Sequence, residues 1–481
     1  MTFFDALCTP DDRVALRVGD AQLTHRELSA AAAAHLARLA DAGVRPGDRV
    51  GTWTHPGLEA AVALVAHAAG GLVSVPLNPK LGPKERDHIL RDAAPVAMVA
   101  PPSAGVDGAL EIRVETDGAG LRKVAEADDG GALVLYTSGT TGPPKGAVLS
   151  RRNCAFDVDA LARAWEWTDA DTVVHALPLF HVHGLVLGLF GALRAGGALH
   201  WVPRFDPATV AAALRPGGTM LFSVPTMVHR LADAAEQDAG VRAGLAAARL
   251  LVSGSAGLPV REHKRIEALA GRGMLERYGL TETLINCGVR AATGPMPGQV
   301  GPPLEGVELK LVDDTRAVLD AHDDETILEV AVRGPNVFSG YLNRPDATEK
   351  VLDDEGWFYT GDLATRDERG AIRIVGRRAT DLIKTGGFKV GAGEVEAAIL
   401  EVPGVAEVAV IGVPDADLGE QIVAYVVPRP GVTLDPDAVR EHVAGQLTPH
   451  KRPRQVHLRE ALPRNAMGKV VKPRLRTEPG S

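Results

Sequence analysis

Cysteine is scarce: Cys8, Cys154 and Cys287 are the whole complement of a 481-residue chain. The odd number and the wide spacings argue against a disulfide framework and against a CxxC-type zinc site. A reducing compartment fits, and the cytoplasm is the expected location. Cys287 could be a nucleophile, but a lone thiol in an apolar run reads first as a small apolar residue. Basic stripes are missing too. Lys and Arg number 52 against 61 Asp and Glu, a net charge of −9, and the short cluster "HKRPR" at 450–454 is the main exception. Nucleic acid is therefore not an expected partner, and any anionic substrate has to be held by local positive groups. Long apolar runs are missing as well. "MTFFDALCTPDDR" carries acids early and no apolar h-region, so it does not read as a signal peptide. The most membrane-like stretch, 58–77, contains Glu59, His67 and the pair Gly70-Gly71. It reads as a helix stopped by glycine and followed by a strand, with no membrane span implied.

The length exceeds what one hydrophobic core supports, so two or more domains are expected. Helix-like and strand-like segments alternate through most of the chain. "LTHRELSAAAAAHLARLADAG" is a helix stopped at Gly43, "RVGTW" a strand, and "AALRPGGTMLFSVP" and "ARLLVSGS" repeat the rhythm. Alternation of this kind implies α/β layers around parallel strands. From about residue 300, "VELKLVDD", "LEVAVRG" and "AIRIVGR" are short alternating strands of an antiparallel sheet or small barrel. After residue 376 comes a compact α+β unit of roughly 100 residues. The expected fold is α/β: a large N-terminal domain of layered subdomains over 1–376 with a small β-barrel-like part, then a small mobile α+β domain over 377–481.

Between two apolar strands lies "YTSGTTGPPKG", residues 136–146. Glycines let an anion approach the backbone, and the hydroxyls and Lys145 add donors and charge. The stretch is not a Walker loop. Pro144 stands where the second glycine belongs, and Gly146 follows the lysine in place of Ser or Thr. Phosphate contact is still the reading that accounts for Thr137, Ser138, Thr140 and Thr141 together. Hydrolase motifs are absent: "SGSAG" lacks the G-x-S-x-G spacing, and H-E-x-x-H does not occur.

Further stretches follow in order: "LPLFHVHG" (177–184), "ERYGLTET" (276–283), "GWFYTGD" (356–362), "GRRATDLIKTGGFKV" (376–390) and "LPRNAMGKV" (462–470). The set resembles the adenylate-forming superfamily of acyl-CoA synthetases, peptide-synthetase adenylation domains and beetle luciferases. Within it, "LPLFHVHGLVLG", "VSGSAGLP", "YGLTETLIN" and "GRRATDLIKTGGFKVGAGEVE" are similar to the malonyl- and methylmalonyl-CoA synthetases. The resemblance implies ligation of a carboxylate to coenzyme A through an acyl-adenylate, with ATP as co-substrate and Mg²⁺ as the metal. Its partners would be small molecules, and the protein a monomer or weak dimer.

The residue roles come from the resemblance. Thr137, Ser138, Gly139, Thr140, Thr141, Gly142 and Lys145 would cradle the leaving phosphates. Ser255, Glu276, Arg277, Tyr278 and Gly279 would line the nucleotide site. Thr281 would reach a phosphate oxygen and Glu282 the metal. Asp362 and Arg377 would bind ribose, and Lys469 would stabilise the charge that develops between carboxylate and α-phosphate. Lys384, Gly386, Gly387 and Phe388 would serve coenzyme A. A malonate-like acid carries a second carboxylate, which needs a cation if buried. Arg290 is the expected cation, with His181, His183 and Ser253 as helpers. Two departures stand out. Leu328 replaces a glycine usual in the family and is expected to perturb only a turn. The hinge run "GRRATD" has one residue more than the commoner GRxxD spacing, which leaves Ala379 or Thr380 as the nearest pivot. The rival readings are a monocarboxylate ligase, a stand-alone adenylation domain, and an inactive nucleotide binder. The second is disfavoured because the chain ends soon after Lys469.

Overall fold

The structure, a computed structural model, describes residues 2–137, 143–215, 217–464 and 470–477. The chain forms two compact units. The first comprises Met1–Leu258, Glu262–Leu309 and Val332–Phe358; the second comprises Pro259–Arg261, Lys310–Ala331 and Tyr359–Ser481.

The first unit holds two sheets. One has seven strands with a parallel centre, where Arg49–Trp53 pairs with both Val73–Leu77 and Ala97–Ala100. The antiparallel hairpin Gly131–Thr137 and Lys145–Ser150 extends it. The other sheet has eight strands. Thr172–His175, Ala198–Trp201, Met220–Ser223, Leu250–Ser253 and Leu275–Leu280 run parallel, and Leu284–Gly288 turns back against the last of them.

Local sequence explains the helices that cover these sheets. His25–Asp41 starts at a capping box: the Glu27 amide donates to Thr24 Oγ1 at 3.2 Å, and the Thr24 amide donates to Glu27 Oε2 at 2.7 Å. Arg151–Trp165 starts at a second box, Ser150 with Asn153. Asn153 Nδ2 also donates to the carbonyls of Pro335 and Val337. That fixes the segment leading to strand Gly340–Tyr341, which pairs with Lys145–Ser150.

In the second unit, strands Leu382–Thr385, Phe388–Gly391, Val405–Asp415, Gly419–Pro428 and Gln455–Leu458 form a five-stranded sheet. Helices Ala392–Leu400 and Pro436–Gln446 bury Val395, Ile399, Val439 and Val443 against it. Strands Glu308–Val312, Leu328–Arg333, Phe358–Arg366 and Ile372–Arg377 form a four-stranded sheet in that order. Leu328 is not at a turn, as the sequence suggested. It opens a strand and is buried, because the run "LEVAVR" buries five successive side chains.

The hinge run is held by a residue the sequence reading passed over. Asp381 Oδ2 accepts from the Arg377 amide at 2.9 Å, and Lys472 Nζ lies 2.6 Å from Asp381 Oδ1 and 2.7 Å from Glu396 Oε1. Lys472 follows an antiparallel bridge between Arg464 and Val470.

The interior of the first unit stores neutral histidines. His35 and His67 bring their Nε2 atoms to 3.2 Å, a contact that needs one donor and one acceptor, and His67 Nδ1 meets Ser74 Oγ at 2.9 Å. Burial pushes His35 down to about 4 and His67 well below its ordinary value. The unfolded chain takes up protons below about pH 6.5, whereas the folded chain resists until about 4. Stability is therefore full above 6.5 and falls as pH drops from 6.5 toward 4, by about 1.4 kcal/mol per pH unit for each such histidine. Thermal melts at pH 7.5, 6, 5 and 4.5 should show a progressive loss. His67→Gln should flatten the profile, and an unchanged slope in that variant would count against the pair.

Candidate active site

Parallel strands of an open sheet present their carboxyl ends together, and ligands of α/β folds bind outside those ends. In the eight-stranded sheet three of these ends carry polar residues. His175, Ser223 and Ser253 are the last residues of apolar strands, with Ser223 in register with Ser253 and Phe222 with His175. Ser223 Oγ donates to the Val252 carbonyl at 2.8 Å, while Ser253 Oγ is buried without a partner. His175 Nδ1 accepts from the Leu177 amide at 3.1 Å, which leaves the proton on a buried Nε2 that also lacks a partner. His183 lies in a π-helix, His183–Phe190, and both of its ring nitrogens are buried and unpartnered.

Arg277 belongs with this group. It is 6 % exposed, its Nε has no partner, and among the described residues no carboxylate pairs with it. Its charge acts on His183, and Asp157 acts on it through space. Burial lowers Arg277 to about 10, so it stays cationic near neutrality. Burial also pushes His175 to about 3, His181 to about 4 and His183 well down, while the buried Asp157 carboxyl is raised well above its usual range. These histidines are thus held neutral, burial disfavours the charged form of the Asp157 carboxyl, and Arg277 is the cation of the set. Glycines make room for the set. A Cβ on Gly254 would lie 2.4 Å from Arg277 Cζ, and one on Gly188 would lie 2.2 Å from His175 Nε2. Buried polar groups in proteins are nearly always hydrogen-bonded. Several unpartnered ones together, with a cation among them, describe a receptor for an anion.

Arg290, the cation expected from sequence, is otherwise engaged. Its Nη1 donates to the Gly288 carbonyl at 3.1 Å and its Nη2 to the Pro303 carbonyl at 2.6 Å. It braces the backbone around strand Leu284–Gly288. Glu276 is likewise committed within the chain: His263 Nε2 lies 2.8 Å from one carboxylate oxygen, and the Leu258 amide donates to the other at 2.9 Å. His181 is partly exposed beside Phe180, and Ser255 is exposed with φ +71°.

Tyr278 and Gly279 lie near the end of strand Leu275–Leu280, before the turn at Thr281–Glu282. Gly279 is required there, since a Cβ would meet the Leu284 carbonyl oxygen at 1.7 Å, and Leu284 itself has φ +50°. Glu282 is buried, its Oε1 accepting from Tyr341 Oη at 2.7 Å. Thr137 and Lys145 face each other across the hairpin. Ser138, Gly139, Thr140, Thr141 and Gly142 lie outside the described residues, as does Lys469. Among the described residues there is no cluster of three metal-ligating side chains. Mg²⁺ usually takes one or two protein carboxylates and completes its shell with water and substrate phosphates. Glu282, with its second oxygen not used by Tyr341, fits this role.

In the second unit Asp362 and Arg377 are brought together. They are in register on neighbouring strands, with Arg377 Nε 3.0 Å from Asp362 Oδ1. Lys384, Gly386, Gly387 and Phe388 form the tip of a hairpin whose glycines have φ +56° and +82°. Phe388 is 53 % exposed and stacks on His450 at 4.2 Å.

Sequence reading missed His175, Ser223 and Tyr341. The first two had a signal: a polar residue closing an otherwise apolar strand, "TVVH" and "MLFS", as in "LLVS". Tyr341 had none, because its partners lie 59 and 196 positions away in the chain.

The AMP-binding enzyme model matches residues 4–342, and its C-terminal domain model matches 394–469. A mitochondrial malonate–CoA ligase of Mus musculus is 38% identical over 376 residues, which is 72% of this chain and 64% of that protein's length. A solved malonyl-CoA ligase, in a ternary product complex with methylmalonyl-CoA and AMP, is 51% identical. It covers 96% of this chain and 100% of its own, with a TM-score of 0.73. ATP-bound MatB from Rhodopseudomonas palustris is 36% identical over 99% of both chains, with a TM-score of 0.89. The chain belongs to the AMP-binding enzyme family, the adenylate-forming superfamily, and its class of enzyme is the AMP-forming acyl-CoA synthetases.

Proposed function

We propose that the protein ligates malonate, or a 2-substituted malonate such as methylmalonate, to coenzyme A. One carboxylate oxygen of the acid attacks the α-phosphorus of ATP and pyrophosphate leaves. The coenzyme A sulfur then attacks the acyl carbon of the adenylate. AMP leaves with the original carboxylate oxygen, and the thiol proton passes to solvent.

The observation that carries the substrate assignment is Arg277. A buried guanidinium without a carboxylate partner is costly, and a bound distal carboxylate relieves that cost through two parallel hydrogen bonds. His175, His183 and Ser253 supply neutral polar groups around it. A monocarboxylate gives Arg277 nothing to pair with.

Lys145 and the 137–142 loop serve the leaving phosphates, with Thr281 on a phosphate oxygen and Tyr278 against adenine. Bound at Glu282, Mg²⁺ would offset triphosphate charge. Asp362 accepts from the ribose hydroxyls and Arg377 orients it. Residues 377–481 act as the domain that moves between the two half-reactions, Lys469 serving the first and Lys384–Phe388 the second. Three cysteines without a disulfide suit the cytoplasm, and monomer or weak dimer is the proposed state.

Malonate labelled with ¹⁸O in its carboxylates tests the route: one label should appear in AMP. Label in pyrophosphate, or formation of ADP, would exclude the adenylate. Glu282→Gln should raise the Mg²⁺ concentration needed for half-maximal rate and depress turnover. An unchanged Mg²⁺ titration would remove the metal role.

A further inference from the structure

Three segments distant in sequence meet at the ring of Tyr341. Its hydroxyl donates to Glu282 Oε1 at 2.7 Å, and Lys145 Nζ stands 4.2 Å from the ring centroid. Glu282 and Tyr341 are each less than a tenth exposed. The tyrosine backbone is fixed on four sides. It pairs with Ala147, its amide donates to Thr348 Oγ1 at 2.9 Å, and its neighbours bond to the same hairpin: the Ser339 amide to Val148 O and the Leu342 amide to Gly146 O. Phe338 packs edge-on to the ring at 4.9 Å, and its amide holds the Glu282 carbonyl at 2.8 Å.

An ammonium and a carboxylate brought to one place normally pair with each other. Here an aromatic ring stands between them. Its face holds the cation through the ring quadrupole, and its edge hydroxyl holds one carboxylate oxygen, leaving the other to a ligand. We propose that Tyr341 is a positioning residue that keeps Lys145 and Glu282 apart and separately aimed, so that a metal–nucleotide complex meets both charges unneutralised. The proposal rests on the reading of Glu282 as the metal carboxylate and Lys145 as a phosphate cation.

Calorimetry of ATP binding with and without Mg²⁺ tests it, on the wild type, Tyr341→Phe, Tyr341→Leu, Glu282→Gln and the double variant Tyr341→Phe with Glu282→Gln. Tyr341→Phe keeps the ring and loses the hydroxyl. It should leave metal-free ATP affinity within about twofold and raise the free Mg²⁺ giving half of the metal-induced tightening by about tenfold, the worth of one hydrogen bond to a charged group. In turnover the same shift should appear in the Mg²⁺ requirement. Tyr341→Leu also removes the ring face and should weaken metal-free binding several-fold, because Lys145 becomes free to pair with Glu282. The double variant should lose no more Mg²⁺ dependence than Glu282→Gln alone. If Glu282→Gln shifts the Mg²⁺ half-point and Tyr341→Phe does not, or if the two shifts add, the proposal is overturned and the metal role stands. If Glu282→Gln itself shifts nothing, the metal role falls and the proposal with it. Should Tyr341→Leu fail to fold, the phenylalanine variant decides.

Discussion

Arg277→Leu is expected to lower kcat/KM for malonate and methylmalonate by about 10²–10³-fold, the cost of leaving a buried carboxylate without its charged partner. Activity on propionate or butyrate should rise, because an apolar pocket no longer needs a second charge. The unliganded variant should melt no lower than the wild type. Burial lowers Arg277 to about 10, so folding with the charge in place costs stability at every pH below that value. The cost is relieved only as pH rises from about 10 toward the ordinary 12.5. Removing a buried charge that has no partner removes its desolvation cost, as replacing even paired buried ions by apolar side chains is often neutral or stabilising. A loss of malonate activity with a raised melting point would separate a binding role from a structural one. Arg290→Leu should behave oppositely. It leaves the carbonyls of Gly288 and Pro303 without their donor, and so lowers stability without switching substrate. If Arg277→Leu still prefers malonate, another residue holds the distal carboxylate.

Lys469→Ala is expected to depress adenylate formation by about 10²–10³-fold, the usual worth of one preorganised donor aimed at developing charge. Thioester formation from pre-made malonyl-adenylate and coenzyme A should stay near the wild-type rate. Among the described residues nearby, Arg464 and Val470 form an antiparallel bridge, the Val471 amide donates to Pro463 O, and Lys472 is clamped by Asp381 and Glu396. The two half-reactions, measured separately with pyrophosphate release and thioester absorbance, distinguish the outcomes. Equal loss in both steps would mean that one face of the C-terminal domain serves the whole reaction.

Much of the architecture was legible in the sequence because it is set locally. Thr24–Glu27 and the Gly43 stop mark the first long helix, and "RVGTW" is the strand the structure shows at Arg49–Trp53. The glycine pair at 70–71 separates helix Leu58–Ala69 from strand Val73–Leu77. Leu328 was misread because substitution of a family glycine says what is lost and not what the new side chain gains by burial in a strand. The acid pocket was only half legible. "FHVHG" and "VSGS" pointed to His183 and Ser253, but the sequence placed Arg277 with the nucleotide and Arg290 with the acid, and which guanidinium finds backbone carbonyls is not written locally. That depends on how Pro303 and Gly288 are folded together. Tyr341 was invisible for the same reason: its role is a meeting of three segments whose order in the chain does not announce it.

The most direct measurement is the wild-type ratio of kcat/KM for malonate over butyrate in ATP- and coenzyme A-dependent thioester formation. The two acids test the same carboxylate chemistry with and without a second charge for Arg277. The account predicts a preference for malonate of at least about 10²-fold, as expected where a site's buried polar group is left unpaired by the wrong substrate. A ratio near one, or a preference for butyrate, would contradict it.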